Sequence, residues 1–343
     1  MSTKVTIQDI ADALGLSRTT VSKVINGSPA VSDATRALVW DKAKELNYRA
    51  LPQAAPTQAP AEPEQNYFAL VMHAIPGGIP MGTAVIPGLD QQLRQAGFSL
   101  ITCAITAEEY RDLTLPPILR SPSIKAIVCM ELFHPEYSRL LASLGKPIAF
   151  IDACVGFTDL GLNANLLLMD SRNSCRQMLT TLIRNHKLTS IGFVGDAHHC
   201  ISFRERYEAF LMVGKECGVD TSYQLLDKDL YYSEAGWLSR RLPEMGPLPQ
   251  LIFCANDFLA SQIMYVLDSM GKRVPEDVMI CGFDGIYSAP PTLSRLTTIS
   301  TPAHQLGSLA AATLLHKLAF PSEINSSTYL HTRIIYRASA PEI

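Results

Sequence analysis

The sequence has no C-x-x-C pair, no uninterrupted apolar run long enough to cross a bilayer, and none of the short loops by which many enzymes hold a nucleotide or a nucleophile. Its eight cysteines, Cys103, Cys129, Cys154, Cys175, Cys200, Cys217, Cys254 and Cys281, are scattered without metal-ligand spacing. They read as reduced core thiols and exclude a zinc ribbon. Polar and charged residues punctuate the first fifteen positions, so no secretory leader is expected, and neither is a membrane partner. A cytoplasmic protein is the expectation. No G-x-G-x-x-G follows an apolar run and no G-x-S-x-G occurs. The loop Gly77 to Gly82 has phosphate-loop spacing, but Thr83 stands where a lysine is required. His198-His199-Cys200 has a ligand-like composition without a second cluster at metal spacing. The carboxylates elsewhere lack a nucleophile or metal beside them. Neither catalytic residues, nor a cofactor, nor a metal is expected, and an enzyme is not the first reading.

Charge is scarce as well as nearly balanced: the net charge is −3 over 343 residues. It is not evenly spread. Residues 1–49 hold seven Lys/Arg against five Asp/Glu, and the remainder holds 22 against 27. Slight basicity at the amino end in front of an acidic body fits a chain that meets a polyanion through one small module. The length allows two or three domains with a sizeable core.

What is present at the amino end is a patterned stretch, Thr6 to Asn26. Ile7, Ile10, Ala11 and Leu14 form one apolar helical stripe, Thr6 can cap it and Gly15 can end it in a left-handed turn. Ser17 offers a new cap at once. In the second helix Val21, Val24 and Ile25 share one face, opposite Arg18, Thr19, Ser22 and Lys23. Two short helices joined by a tight glycine turn predict a helix-turn-helix whose second helix enters a DNA major groove. Arg18, Thr19 and Lys23 are the expected base readers: arginine and lysine can reach guanine O6 and N7, and threonine can donate or touch a thymine methyl. Ser22 suits a phosphate. Thr6, Ser17 and Asn26 complete the expected DNA-contacting set. On periodicity alone, a small helical bundle without nucleic acid explains the pattern equally well. The continuation decides: Val31 to Tyr48 caps at Ser32 and is expected to carry Thr35, Leu38, Val39, Ala43 and Leu46 inward as a third helix.

Asp9-Ile10-Ala11, Gly15-Leu16-Ser17, Thr20-Val21-Ser22-Lys23-Val24 and Glu45-Leu46-Asn47-Tyr48 stand in one register over some forty residues. On these motifs the run from Val5 to Tyr48 resembles the DNA-binding domain of the lactose-repressor (LacI) family. Residues 50–66 then change to a proline-rich spacer, a domain boundary. The resemblance implies a minor-groove hinge helix here, but Pro52 and Pro56 leave at most one helical turn, and Leu51 is the only leucine.

Behind the spacer, Phe68–Met72, Phe98–Cys103, Ala126–Met130 and Ile148–Ile151 read as buried parallel strands, with helices at Thr83–Gln95 and Pro135–Leu144 between them. A second series follows: strands at Ser190–Val194, Leu251–Cys254 and Val278–Phe283, and helices at Ser171–Asn185, Arg204–Cys217, Ser233–Arg241 and Asp257–Met270. Thr301–Leu318 reads as helix and Tyr329–Tyr336 as strand. The expected fold is therefore a small all-α head, residues 1–49, and an α/β two-lobed body with parallel sheets, residues 67–343. Lobe 1 is expected at about 67–160 and 298–326, lobe 2 at about 161–297 and 327–343.

Open parallel sheets bind ligands beyond the carboxyl ends of their strands. There the sequence is polar: Asp152, Asp196, His199, Asn256, Asp257 and Asp284. Each alone reads as a cap or turn residue; together they can line a cleft. The resemblance extends over the body through Ala255-Asn256-Asp257, Arg273 to Val278, Gly282-Phe283-Asp284 and Leu296-Thr297-Thr298. It looks like the family's effector domain, similar to sugar-binding periplasmic proteins, and implies effector contacts at Asp152, Arg206, Asn256 and Asp284, with Ser202 and Tyr231 as weaker members. Cys200 stands where purine-responsive members carry a basic residue, which favours a sugar or sugar derivative over a purine. The implied function is a sequence-specific transcriptional repressor, a homodimer on palindromic operator DNA, with tetramer pairing left open. The alternatives are an enzyme acting on a sugar or nucleotide behind a DNA-binding head, and a scaffold that senses no ligand.

Overall fold

The computed structural model describes residues 5–25, 31–46, 48, 66–73, 82–198, 200–228, 236–285, 293–321 and 324–342. They fall into two units, Met1–Glu64 and Gln65–Ile343.

In the first unit α1 (Ile7–Leu14), α2 (Arg18–Ile25) and α3 (Asp33–Glu45) enclose Ile10, Ala11, Val21, Val24, Ile25, Val39 and Ala43. Thr6 and Asp9 make a reciprocal capping box at α1, satisfying orphan N–H groups in its first turn. Gly15, at φ 64°, closes the helix, its N–H reaching the Ala11 and Asp12 carbonyls; a side chain there would be strained. Ser17 Oγ then accepts from the Thr20 N–H at 3.1 Å and starts α2. The expected inward face of α3 needs one correction: Leu38 is 59% exposed. Trp40 and Tyr48 pack against the cluster instead.

The second unit contains two sheets built alike. The first comprises β1 (Tyr67–His73), β2 (Ser99–Ile105), β3 (Ile124–Met130), β4 (Ile148–Ile151) and β5 (Asn165–Met169), with α4 (Gly82–Gln95), α5 (Ala107–Arg111) and α6 (Pro135–Ala142). After α7 (Ser171–His186) the second begins: β6 (Ser190–Val194), α8 (Ile201–Cys217), β7 (Asp220–Leu225), α9 (Trp237–Glu244), β8 (Leu251–Cys254), α10 (Asp257–Ser269), β9 (Met279–Asp284) and β10 (Thr297–Ser300). The chain then returns through α11 (Ala303–Ala319) and β11 (Ser327–Leu330) to the first lobe and ends with β12 (Arg333–Ile335) in the second.

Strand order is β11-β5-β4-β3-β1-β2 in one sheet and β12-β10-β9-β8-β6-β7 in the other. All pairs are parallel except β10 with β12. Central strands are buried on both faces, which is why they read as continuous apolar runs. Among the described residues no helix is long and apolar enough to cross a membrane. α11 lies so close on α4 that a Cβ at Gly307 would stand 2.1 Å from the Val85 carbonyl oxygen, and one at Gly88 1.9 Å from that of His304. Glycine on both sides is what lets the backbones meet.

The lobe crossings differ from expectation. β5 completes the first sheet, so the first crossing comes at Asp170, not near 160. β10 belongs to the second sheet, so the return falls at Thr301-Pro302. The expected single strand Tyr329–Tyr336 is two strands in two sheets, broken at His331-Thr332. The first and third crossings are tied together: the Asp170 N–H donates to the Leu330 carbonyl at 2.8 Å, and Thr332 Oγ1 donates to the Asp170 carbonyl at 3.2 Å.

Candidate functional site

On the head, packing settles which face α2 can present. Val21, Val24 and Ile25 are buried, so Arg18, Thr19 and Lys23 are exposed and Ser22 is half-buried. Thr6 and Ser17 both spend their hydroxyls locally, Thr6 donating to Asp9 Oδ2 at 2.8 Å and Ser17 pairing with Thr20 Oγ1 at 2.8 Å. That leaves the α2 side chains as the outward-reaching groups. Asn26 lies outside the described residues, as do the spacer from Leu51 to Gln65 and the loop from Gly77 to Met81.

In the body, the carboxyl ends of the strands carry the polar residues expected of them. Asp152 follows β4 at φ 57°, and Asp284 ends β9 at φ 121°. Glu131, which follows β3, has φ 56°. Of the five non-glycine residues at positive φ among the described residues, these three are carboxylates at strand ends. Such backbone costs of order 1–3 kcal/mol per residue and persists where the surroundings impose it.

Arg206 is the centre of the group. It rises from α8, is 3% exposed, and donates through Nη1 to the Ala255 carbonyl at 2.6 Å. Its guanidinium carbon lies 3.6 Å from the Phe283 ring centroid, and Nη2 stands 3.9 Å from Asp284 Oδ1. Its Nε is buried and has no hydrogen-bond partner. An arginine packed on a ring with a buried, unpartnered N–H keeps a donor for an oxygen that the protein itself does not provide.

Burial is the largest influence on Asp284 and pushes its carboxyl up to about 7; Asp257, Glu131 and Asp152 push the same way, and Arg206 opposes them. Near neutrality it can therefore either donate or accept a hydrogen bond. Asp152 spans the lobes, its Oδ1 accepting from the Ser202 N–H at 3.3 Å as well as from the Ala153 N–H at 2.8 Å. Asn256 caps α10, its Oδ1 accepting from the Leu259 N–H at 2.8 Å, which leaves its amide N–H groups for other partners. The helix-opening Asp257 is not that cap: it is 1% exposed and accepts from Thr298 Oγ1 at 2.6 Å.

Thus Asp152, Ser202, Arg206 and Asp284 are brought together, with Asn256 at the end of the neighbouring strand β8. Tyr231 lies outside the described residues, and so does His199. Asp196 serves a turn, accepting from the His198 N–H at 2.9 Å, while the His198 ring meets Arg204 Nη2 at 2.8 Å. No metal-holding cluster occurs among the described residues. Three residues escape the sequence reading. Glu131 follows β3 and His73 ends β1, and the same strand-end rule applied to those runs finds them. His73 stacks on Tyr110 at 4.3 Å and has a buried Nε2 without a partner. Glu205 is buried on α8, accepting from Arg172 Nε at 3.2 Å and from the Tyr329 hydroxyl at 2.9 Å. Nothing local in the sequence marks it.

Comparison with known proteins joins these two units. Residues 6–50 match the family described as bacterial regulatory proteins, lacI family, and residues 181–340 match the periplasmic binding protein-like domain. The HTH-type transcriptional repressor PurR of Mannheimia succiniciproducens is 26% identical over 342 residues, 98% of this chain and 99% of that protein. Two solved structures share the fold along nearly the whole length. The Lac repressor dimer bound to operator and the anti-inducer ONPF superposes with TM-score 0.68 at 18% identity, covering 99% of this chain and 100% of that one. The transcriptional regulator CelR-cellobiose complex superposes with TM-score 0.65 at 21% identity, covering 98% and 99%. A helix-turn-helix of this family, a two-lobed body behind it and full-length relatives that are transcriptional repressors place the chain in the LacI family of DNA-binding transcriptional repressors.

Proposed function

We propose that the repressor is governed by a small, uncharged, polyhydroxylated ligand, a sugar or sugar derivative, held between the lobes by Asp152, Ser202, Arg206, Asn256, Asp284 and Tyr231. The observation that carries this reading is the buried, unpartnered Nε of Arg206 beside an Asp284 carboxyl poised near 7. An N–H that must donate, next to a carboxyl able to donate or accept, suits vicinal hydroxyls, which do both. A ligand bound more tightly by one lobe arrangement shifts the population toward it and changes how the heads reach DNA. The DNA side of the proposal assigns base reading to Arg18, Thr19 and Lys23, a phosphate contact to Ser22, and supporting contacts to Thr6, Ser17 and Asn26. A homodimer doubles both the phosphate contacts and the base pairs read, as a two-fold operator requires. Such a repressor works in the cytoplasm, where the DNA is.

A purine is the second reading, favoured by the relatives that bear the name PurR. Against it, Cys200 is buried and its sulfur accepts from the Phe203 N–H at 3.5 Å, so this position offers a base no charged or strongly polar partner. A thermal-shift screen of sugars, sugar phosphates, polyols and purines separates the two. The expected result is a stabilising neutral sugar whose effect is lost in Asp284→Ala. Stabilisation by purines alone would replace the sugar reading, and recovery of a chemically altered ligand would restore the enzyme reading.

A further inference from the structure

Cys154 and Cys200 sit on different lobes, opposite one another in a backbone pairing that joins them. Cys154 follows β4, Cys200 caps α8, and the two form an isolated antiparallel bridge. The ladder bond beside them runs from the Ile201 N–H to the Ala153 carbonyl at 2.9 Å. The cysteines are therefore a non-hydrogen-bonded pair, the kind whose Cα atoms approach to about 4.5 Å. That lies within the span of roughly 4.4–6.8 Å that a disulfide bridges. Both thiols are free, at 3% and 1% exposure.

Two other cysteine pairs in the sheets lack this geometry. Cys103 and Cys129 are both registered to Val71, on opposite sides of β1, about two strand spacings or roughly 9.6 Å apart. Cys281 is registered to Phe253, one residue before Cys254, so those two project to opposite faces of the sheet.

We propose that Cys154 and Cys200 are an oxidative modification site: a peroxide joins them in a disulfide that ties the two lobes in the arrangement seen here. In the first step one thiolate attacks the peroxide; an S–O bond forms, the O–O bond breaks, and water leaves after protonation. In the second the other thiol attacks the sulfenic sulfur; an S–S bond forms, the S–O bond breaks, and the thiol proton departs with the oxygen as water. Two thiols and one hydrogen peroxide give one disulfide and two waters, two electrons passing from sulfur to peroxide. Burial pushes both thiols up, with Asp152 adding to the effect, so they are protonated while packed. The first step accordingly belongs to moments when the lobes part, and the second to their return. A small-molecule thiol reverses the bond by exchange. Only lobe motion is needed, whatever ligand the cleft takes.

The test uses the full chain with Cys217→Ser, which removes the one half-buried thiol. The protein is treated with hydrogen peroxide, unfolded in an alkylating reagent, digested and mapped by mass spectrometry. The expected result is a peptide linking positions 154 and 200, the other thiols alkylated as before, a higher Tm for the oxidised protein, and reversal of both by dithiothreitol. Cys200→Ser keeps a good helix cap and should fold; it should lose the linked peptide and the Tm shift together. Full alkylation of Cys154 and Cys200 after treatment would overturn the proposal. So would sulfenic or sulfinic acid at either without the link, or pairing of either with a different cysteine.

Discussion

The backbone N–H of Ser202, in the first turn of α8, donates to the carboxylate of Asp152 at the end of β4, 3.3 Å away and on the other lobe. The contact joins two residues that the proposed ligand would also touch, so ligand binding and lobe arrangement share a bond. Asp152 holds φ 57°, which Asp and Asn tolerate better than other residues with a Cβ. Asp152→Asn should be nearly neutral for stability, whereas Asp152→Ala, losing two accepted N–H bonds as well, should cost about 1–3 kcal/mol in urea denaturation. Equal costs for the two substitutions would show that the lobe-spanning bond contributes nothing.

Asp284 makes stability depend on pH with a definite sign. Its carboxyl is raised from 3.8 to about 7 in the fold, mainly by burial, so between those values the folded chain holds a proton that the unfolded chain has released. Stability from this group is thus fullest below pH 4 and falls as pH rises through 7. Asp284→Asn, uncharged throughout, should raise Tm at pH 8 by a few degrees and flatten the profile between pH 4 and 7. A substitution that lowers Tm equally at pH 5 and pH 8 would point to lost contacts, not to a buried charge.

Glu205 straps the lobes on a second line, accepting from Tyr329 of β11 across the lobes and from Arg172 of α7 within its own lobe. Burial raises its carboxyl, with Tyr329 and Arg172 working against that rise. Removing the hydroxyl in Tyr329→Phe should cost about 1–2 kcal/mol and push the Glu205 carboxyl further up. Chemical denaturation across a range of pH checks this: the loss should grow as pH rises through the titration of Glu205, because the lost bond favours the charged carboxylate. No loss at any pH would remove Glu205 from the lobe contacts.

The strands most legible in the sequence were those buried on both faces, such as Ile148–Ile151 and Leu251–Cys254, because burial leaves an apolar run with no competing period. Asp220–Leu225 and Thr297–Ser300 were not legible: the first is an edge strand with alternating exposure, and the second is three-quarters threonine and serine, whose hydroxyls and amides find partners in the fold. The division of Tyr329–Tyr336 between two sheets has no local signature, since both halves have strand character and only tertiary pairing separates them. At the site, residues standing right after apolar runs could be found by position. Arg206 came only from the family resemblance, and Glu205 depends on a neighbour 124 residues away.

The central claim is that α2 reads bases in duplex DNA, and its most direct test is selection of bound sequences from a random duplex library by the full chain at physiological salt. The account predicts a two-fold-symmetric motif. Arg18→Ala should lose preference at a single position of each half-site, with an affinity loss of about 1–3 kcal/mol on the selected sequence. Recovery of no motif, or of the same motif with undiminished affinity in Arg18→Ala, Thr19→Ala and Lys23→Ala, would contradict it.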